Sequence, residues 1–146
     1  MFFLYQKLQQ SSDTQIAAIA EKSLKEVTYH VRWSSEWVIR LGDGTQESNR
    51  RINDAIANLW PYTGEMFMPV LYEQEITDAG IGVDVISLKE FWMKKIAVVF
   101  NEAGLFIPSS STFMHTGGKQ GKHTEHLDHL LTEMQYMQRA YPNSEW

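Results

Sequence analysis

Between Asp13 and Gly42 runs the longest helical pattern in the chain. Ile16, Ala20, Leu24, Val27, Val31, Trp37 or Val38, and Leu41 recur at steps built from three and four, which places them on one helical face. Asp13 is a good N-cap residue, and the spacing predicts a helix to about Arg40, with Gly42 just past its end as a stop. An apolar stripe this long needs other helices beside it, so an all-α bundle is the expected fold.

The remaining segments agree. Phe2, Phe3, Leu4, Tyr5 and Leu8 read as the end of a helix stopped near Ser11 and Ser12. Asp43-Gly44-Thr45 reads as a tight turn. Ile52, Ile56, Leu59, Thr63 and Met66 or Phe67 mark the next helix, with Pro61 inside the pattern. Proline lacks an N–H and crowds the preceding turn, so a kink is expected there. Residues 69–78 predict a short helix ending at Gly80. Asp84 or Ser87 starts another, with Leu88, Phe91, Trp92, Ile96, Val99 and Ala103 inward and Gly104 and Pro108 at its end. A final helix is expected over about 123–140, capped by Thr124, with Leu127, Leu130, Leu131, Met134 and Met137 on a buried face. Residues 81–86 are the only weak strand candidate. The chain is expected to form a single domain, 1–146. Met1 falls on an apolar helical stripe with no cap before it, which reads either as a frayed natural start or as a bundle lacking its front helices.

Composition narrows the function. A net charge of −5 argues against nucleic acid or an anionic membrane as partner. With no Cys there is no disulfide framework, thiolate nucleophile or Cys-ligated zinc, which fits the cytosol. No apolar run reaches the ~20 residues of a membrane span. The opening MFFLYQKL lacks the charge, length and cleavage site of a signal peptide. Ser34, Ser35 and Ser109 to Ser111 lack a G-x-S-x-G context, so no nucleophile triad is argued. Five Trp in so small a bundle point to some at an interface, and adjacent Phe91 and Trp92 cannot share one narrow stripe.

Whole strings carry more than periodicity. QIAAIAEKSLKEVTYHVRWSSEWVIRLGDGT (15–45), INDAIANLW (52–60), ITDAGIGVD (76–84), FNEAGLFIP (100–108) and TGGKQGKHTEHLDHLLTEMQYMQRAYPNSEW (116–146) together resemble the C subunits of bacterial ring-1,2-phenylacetyl-CoA epoxidases, a monooxygenase family of phenylacetate catabolism. The resemblance covers essentially the whole chain and matches the C-terminal part of a longer, ferritin-like subunit. It implies a non-catalytic, cytoplasmic subunit that binds and stabilises a catalytic oxygenase subunit. The di-iron centre would lie in that partner, and a reductase would supply electrons from NADPH.

Ferritin-like di-iron sites use two Glu-x-x-His motifs plus two further Glu. No His here has a carboxylate three residues before it: His30, His115, His123, His126 and His129 follow Val27, Thr112, Gln120, His123 and His126. Glu26–His30, Glu125–His129 and the His126, His129, Glu133 series are near misses, better read as polar helix-surface pairs. The turn of Gly117, Gly118, Lys119, Gly121 and Lys122 has the makings of an anion cradle, with CoA phosphates as a candidate, but not P-loop order. Contact with a partner is another use for it. No residue is therefore assigned to catalysis, a cofactor or a metal. The alternatives are an oxygenase component with its own iron, and a truncated remnant that self-associates into a homo-oligomer through uncovered apolar faces.

Overall fold

The computed structural model describes residues 1–145, which divide between two compact units, one of Met1–His115 and one that begins at Thr116. Among the described residues the fold is all-α, as expected of a ferritin-like bundle; residues 81–86 form turns rather than a strand.

In the first unit, α1 (Phe2–Leu8) and α2 (Thr14–Gly42) meet at a corner tied down from outside: Ser12 N–H donates to the Gly80 carbonyl at 2.9 Å and the Ser11 hydroxyl to that of Ile81 at 2.8 Å. Asp13 caps α2 as expected, its Oδ1 accepting from Gln15 N–H (2.8 Å) and Ile16 N–H (3.0 Å). The helix does not stop before Gly42 but includes it. Gly42 is buried, and a Cβ built there would lie 2.4 Å from the Ala103 carbonyl oxygen. The residue is small because another backbone approaches, not because the chain must turn. Asn49 Nδ2 donates to the Gly42 carbonyl at 2.7 Å and closes the helix end.

Thr45 caps α3 (Gln46–Leu59) through Ser48 N–H. At Pro61 the helix ends instead of kinking: Trp60–Tyr62 and Gly64–Phe67 are 3₁₀ turns, the tighter winding that proline tolerates at a helix start. α4 (Leu71–Asp78) ends at Gly80, whose φ of +72° matches its predicted role. α5 (Leu88–Glu102) ends in a Schellman motif, with Gly104 at φ +65°, Leu105 N–H on the Phe100 carbonyl (2.9 Å) and Gly104 N–H on that of Asn101 (3.3 Å). No side chain crowds Gly104, so backbone strain alone sets the cost of replacing it. Gly104→Ala is expected to lose about 1 kcal/mol, and Gly104→Asn less, in urea unfolding followed by circular dichroism.

The core gathers Trp60, Val99, Phe100, Ala103 and Leu105, with Val38, Ile39, Ile52, Ile56, Trp92, Met93, Ile96 and Met114 packed against it. Segments distant in sequence thus meet at the junction of α2, α3 and α5.

In the second unit, a 3₁₀ turn (Gly118–Gln120) leads to α6 (Glu125–Met134) and α7 (Tyr136–Ala140). The single predicted helix over 123–140 is interrupted by a turn at Gln135, between α6 and α7. Thr124 has the extended backbone of an N-cap, but its side chain makes no capping hydrogen bond.

Candidate functional surface

The histidine and carboxylate candidates do not converge. Glu26 Oε1 lies 3.8 Å from His30 Nε2, with both side chains exposed on α2. His126, His129 and Glu133 are on α6, and His123 lies in the loop before it. His115 belongs to an aromatic stack, 4.4 Å from Tyr62 and edge-on to Phe113, with its backbone N–H on the Pro61 carbonyl. Among the described residues no group of three or more His, Asp or Glu is placed to hold a metal ion. These donors do not fit a di-iron centre, which needs several carboxylates and imidazoles around one point.

The glycine-rich turn is closed on itself. Gly117 and Gly121 have φ of +104° and +84°, conformations that favour glycine. The Gly117 carbonyl accepts from Gln120 N–H and Lys122 N–H, both at 2.9 Å, and Gly121 N–H donates to the Gly118 carbonyl at 3.2 Å. An anion cradle uses such amides; here those of 120–122 are spent within the turn. Glu125 and Asp128 already place negative charge on the first turn of α6.

Between α1, α2 and α5 lies an apolar groove of about 240 Å³, walled by Phe3, Val31, Val38, Trp92 and Ile96. Ser34 and Ser35 reach it, but both hydroxyls donate to the Val31 carbonyl, at 3.2 and 2.6 Å. Both thus serve the helix backbone.

Uncovered apolar surface is the more prominent feature. On α6 and α7, Leu127 and Leu131 are half-buried, while Leu130, Met134 and Met137 are exposed. The face predicted to be buried is therefore mostly open. On α2, Val38 packs on the core and Trp37 turns outward, resolving the alternatives at that step of the stripe. Trp33 sits 6.0 Å from Trp37, edge to face, and is also exposed. Trp60 is buried 5.5 Å from Trp92, which also touches Phe67. Adjacent Phe91 instead meets Phe3 at 6.0 Å, so the pair does split between two surfaces. Trp146 lies outside the described residues.

Two members of the outward α2 surface, Ile19 and Tyr29, escape the sequence reading. The signal was present: Tyr29, Trp33 and Trp37 are spaced i, i+4, i+8, a second stripe beside the core stripe. Its rim is charged. Arg32 Nε bonds Glu36 at 2.9 Å, a hydrogen bond that holds the Glu36 carboxyl below the ordinary carboxylate range, and the Arg40 guanidinium lies 5.7 Å over the Trp37 ring.

Among the described residues no helix is long and apolar enough to cross a membrane. The chain is 41% identical over 143 residues to the C subunit of 1,2-phenylacetyl-CoA epoxidase from Escherichia coli (strain K12); the match takes in 98% of this chain and 57% of that protein. The family model described as Phenylacetic acid catabolic protein matches residues 1–146. An all-helical fold and a match from end to end place the chain in the phenylacetic acid catabolic protein family.

Proposed function

We propose that the chain acts in phenylacetate breakdown as a non-catalytic subunit of an epoxidase complex, binding and stabilising the catalytic subunit that carries the di-iron centre. The observation that carries this reading is its 41% identity with the C subunit of an epoxidase along almost its whole length. The open face of α6 and α7 supports it: Leu130, Met134 and Met137 form an apolar strip that a partner would cover. The closed basic turn that precedes it would present Lys122 at the rim of that contact.

Co-expression with the catalytic epoxidase subunit tests this. The tagged chain is expected to retain that subunit through affinity and size-exclusion steps. Leu130→Glu with Met134→Glu, at exposed positions, is expected to weaken capture at least ~30-fold, as for loss of interface hot spots. A chain that runs alone in the presence of the catalytic subunit would overturn the proposal. So would stoichiometric iron in the isolated chain that disappears on changing Glu26 or His30, because the chain would then be an oxygenase component itself.

A further inference from the structure

We infer that Met134 and Met137 are a modification site on the open face of α6 and α7: oxidation of their thioethers to sulfoxides by a hydroperoxide switches off the docking of the catalytic subunit. The inference rests on the docking reading given above and adds the chemistry that would control it.

The chain has seven Met and no Cys, so methionine is its readily oxidised sulfur. The methionines divide by position. Met93 and Met114 pack against the core. Met134 and Met137 are 67 and 44% exposed. Met1, Met66 and Met68 are open as well, so exposure alone does not single out the pair; their place among apolar neighbours does. Met134 is the last residue of α6, three after Leu131 and four after Leu130. Helical side chains lean back over the preceding turn, so the Met134 thioether lies toward both leucines. Leu130 is exposed, and Leu127 and Leu131 are half-buried beside it. Met137 follows on α7. Of the three exposed members of this strip, all but Leu130 are thus methionines.

A thioether is apolar and deformable, which suits it to filling a contact with another chain. In the oxidation a sulfur lone pair attacks one oxygen of hydrogen peroxide. An S–O bond forms, the O–O bond breaks, and the second oxygen leaves as water. Sulfur loses an electron pair and the peroxide gains it. The product is a polar sulfoxide whose oxygen needs a hydrogen-bond donor. Leu127, Leu130 and Leu131 offer none from their side chains, so covering the oxidised strip would bury an unsatisfied polar group. A covered strip is closed to the oxidant, so the free chain is the form that reacts. Assembly protects the site, and oxidation before assembly prevents it. Methionine sulfoxide reductases make the change reversible.

The test treats the full chain with hydrogen peroxide, removes the peroxide by desalting, and then adds untreated catalytic epoxidase subunit. Peptide mass spectrometry scores each methionine, and affinity capture scores docking. Met134 is expected to oxidise faster than Met93 and Met114. Capture by the oxidised chain is expected to fall at least ~10-fold, the scale of one unsatisfied polar group in an apolar contact, with unchanged helix content by circular dichroism. Methionine sulfoxide reductases are expected to restore it. In the Met134→Leu, Met137→Leu protein, peroxide is expected to leave capture at its own untreated level, because Met66 and Met68 remain but the strip holds no sulfur. A chain that captures nothing before treatment overturns the docking reading and the switch with it. Capture that survives full oxidation of Met134 and Met137 overturns the switch alone. So does an equal loss in the double leucine protein, or a loss that tracks melting of the helices.

Discussion

Trp60→Ala is expected to destabilise the 1–115 unit by about 3–5 kcal/mol, the largest loss from any single truncation in this chain. Trp60 is 8% exposed, in ring contact with Trp92 and Phe100 and at the centre of the core. It begins the 3₁₀ turn that Pro61 forces, so its indole enters where α3 ends. Removing it leaves a cavity between α3 and α5 that cannot collapse without moving one of them. Since small domains hold only about 5–15 kcal/mol in all, the variant should be close to unfolding at ambient temperature. Urea titration followed by circular dichroism should show the midpoint falling by about 2 M, for a slope near 2 kcal/mol per M. Phe106→Ser is the matched contrast: Phe106 is 87% exposed, and its loss should stay within about 0.5 kcal/mol. Equal effects from the two changes would contradict the burial pattern.

Gly42→Ala should be the most damaging of the minimal substitutions. Two terms oppose each other. Alanine favours helix over glycine by about 1 kcal/mol, and Gly42 lies inside α2. Against this, the new methyl would lie 2.4 Å from the Ala103 carbonyl oxygen and 2.9 Å from the Ala103 Cβ. The first obstacle is backbone, anchored by the Schellman motif at the end of α5, so it cannot swing aside as a flexible side chain would. Overpacking of this kind costs about 1–3 kcal/mol, so the steric term should win and Gly42→Ala should lower the urea midpoint. Ala103→Gly should recover part of the loss in the double variant, because it removes the Cβ contact but not the carbonyl. A stabilised Gly42→Ala protein would show that the two helix ends do not meet as described.

Gly42 also shows how far sequence reading reaches. A glycine after a helical run ordinarily marks a stop, and the sequence holds no sign that Ala103, distant along the chain, needs the space. Pro61 is a similar case: its effect on the helix was legible in kind but not in form, because whether a helix bends or ends depends on what packs beyond it. Trp60 and its neighbours supply that packing. The Trp37-or-Val38 ambiguity has the same origin. The two residues are about 100° apart around α2, and only the position of the core decides which is inside.

What the letters show of the candidate sites is spacing. The missing carboxylate-x-x-His spacing was visible in the letters, and Glu26–His30 indeed forms an exposed i,i+4 pair. The closure of the 117–122 turn on its own carbonyls was not visible, since glycine spacing does not say which amides remain for a ligand.

By itself the sequence determined the all-helical fold class, Asp13 at the start of α2, the turn at Asp43-Gly44-Thr45, the glycine stops at Gly80 and Gly104, and the family. These follow from local chemistry: side-chain period, capping oxygens and the φ range open to glycine all act within a few residues. The tertiary structure alone decided which helical faces are covered. Leu130, Met134, Trp33 and Trp37 are as apolar as residues in the core, yet they stand open. Burial is a property of two surfaces at once, and a periodic stripe records only one of them.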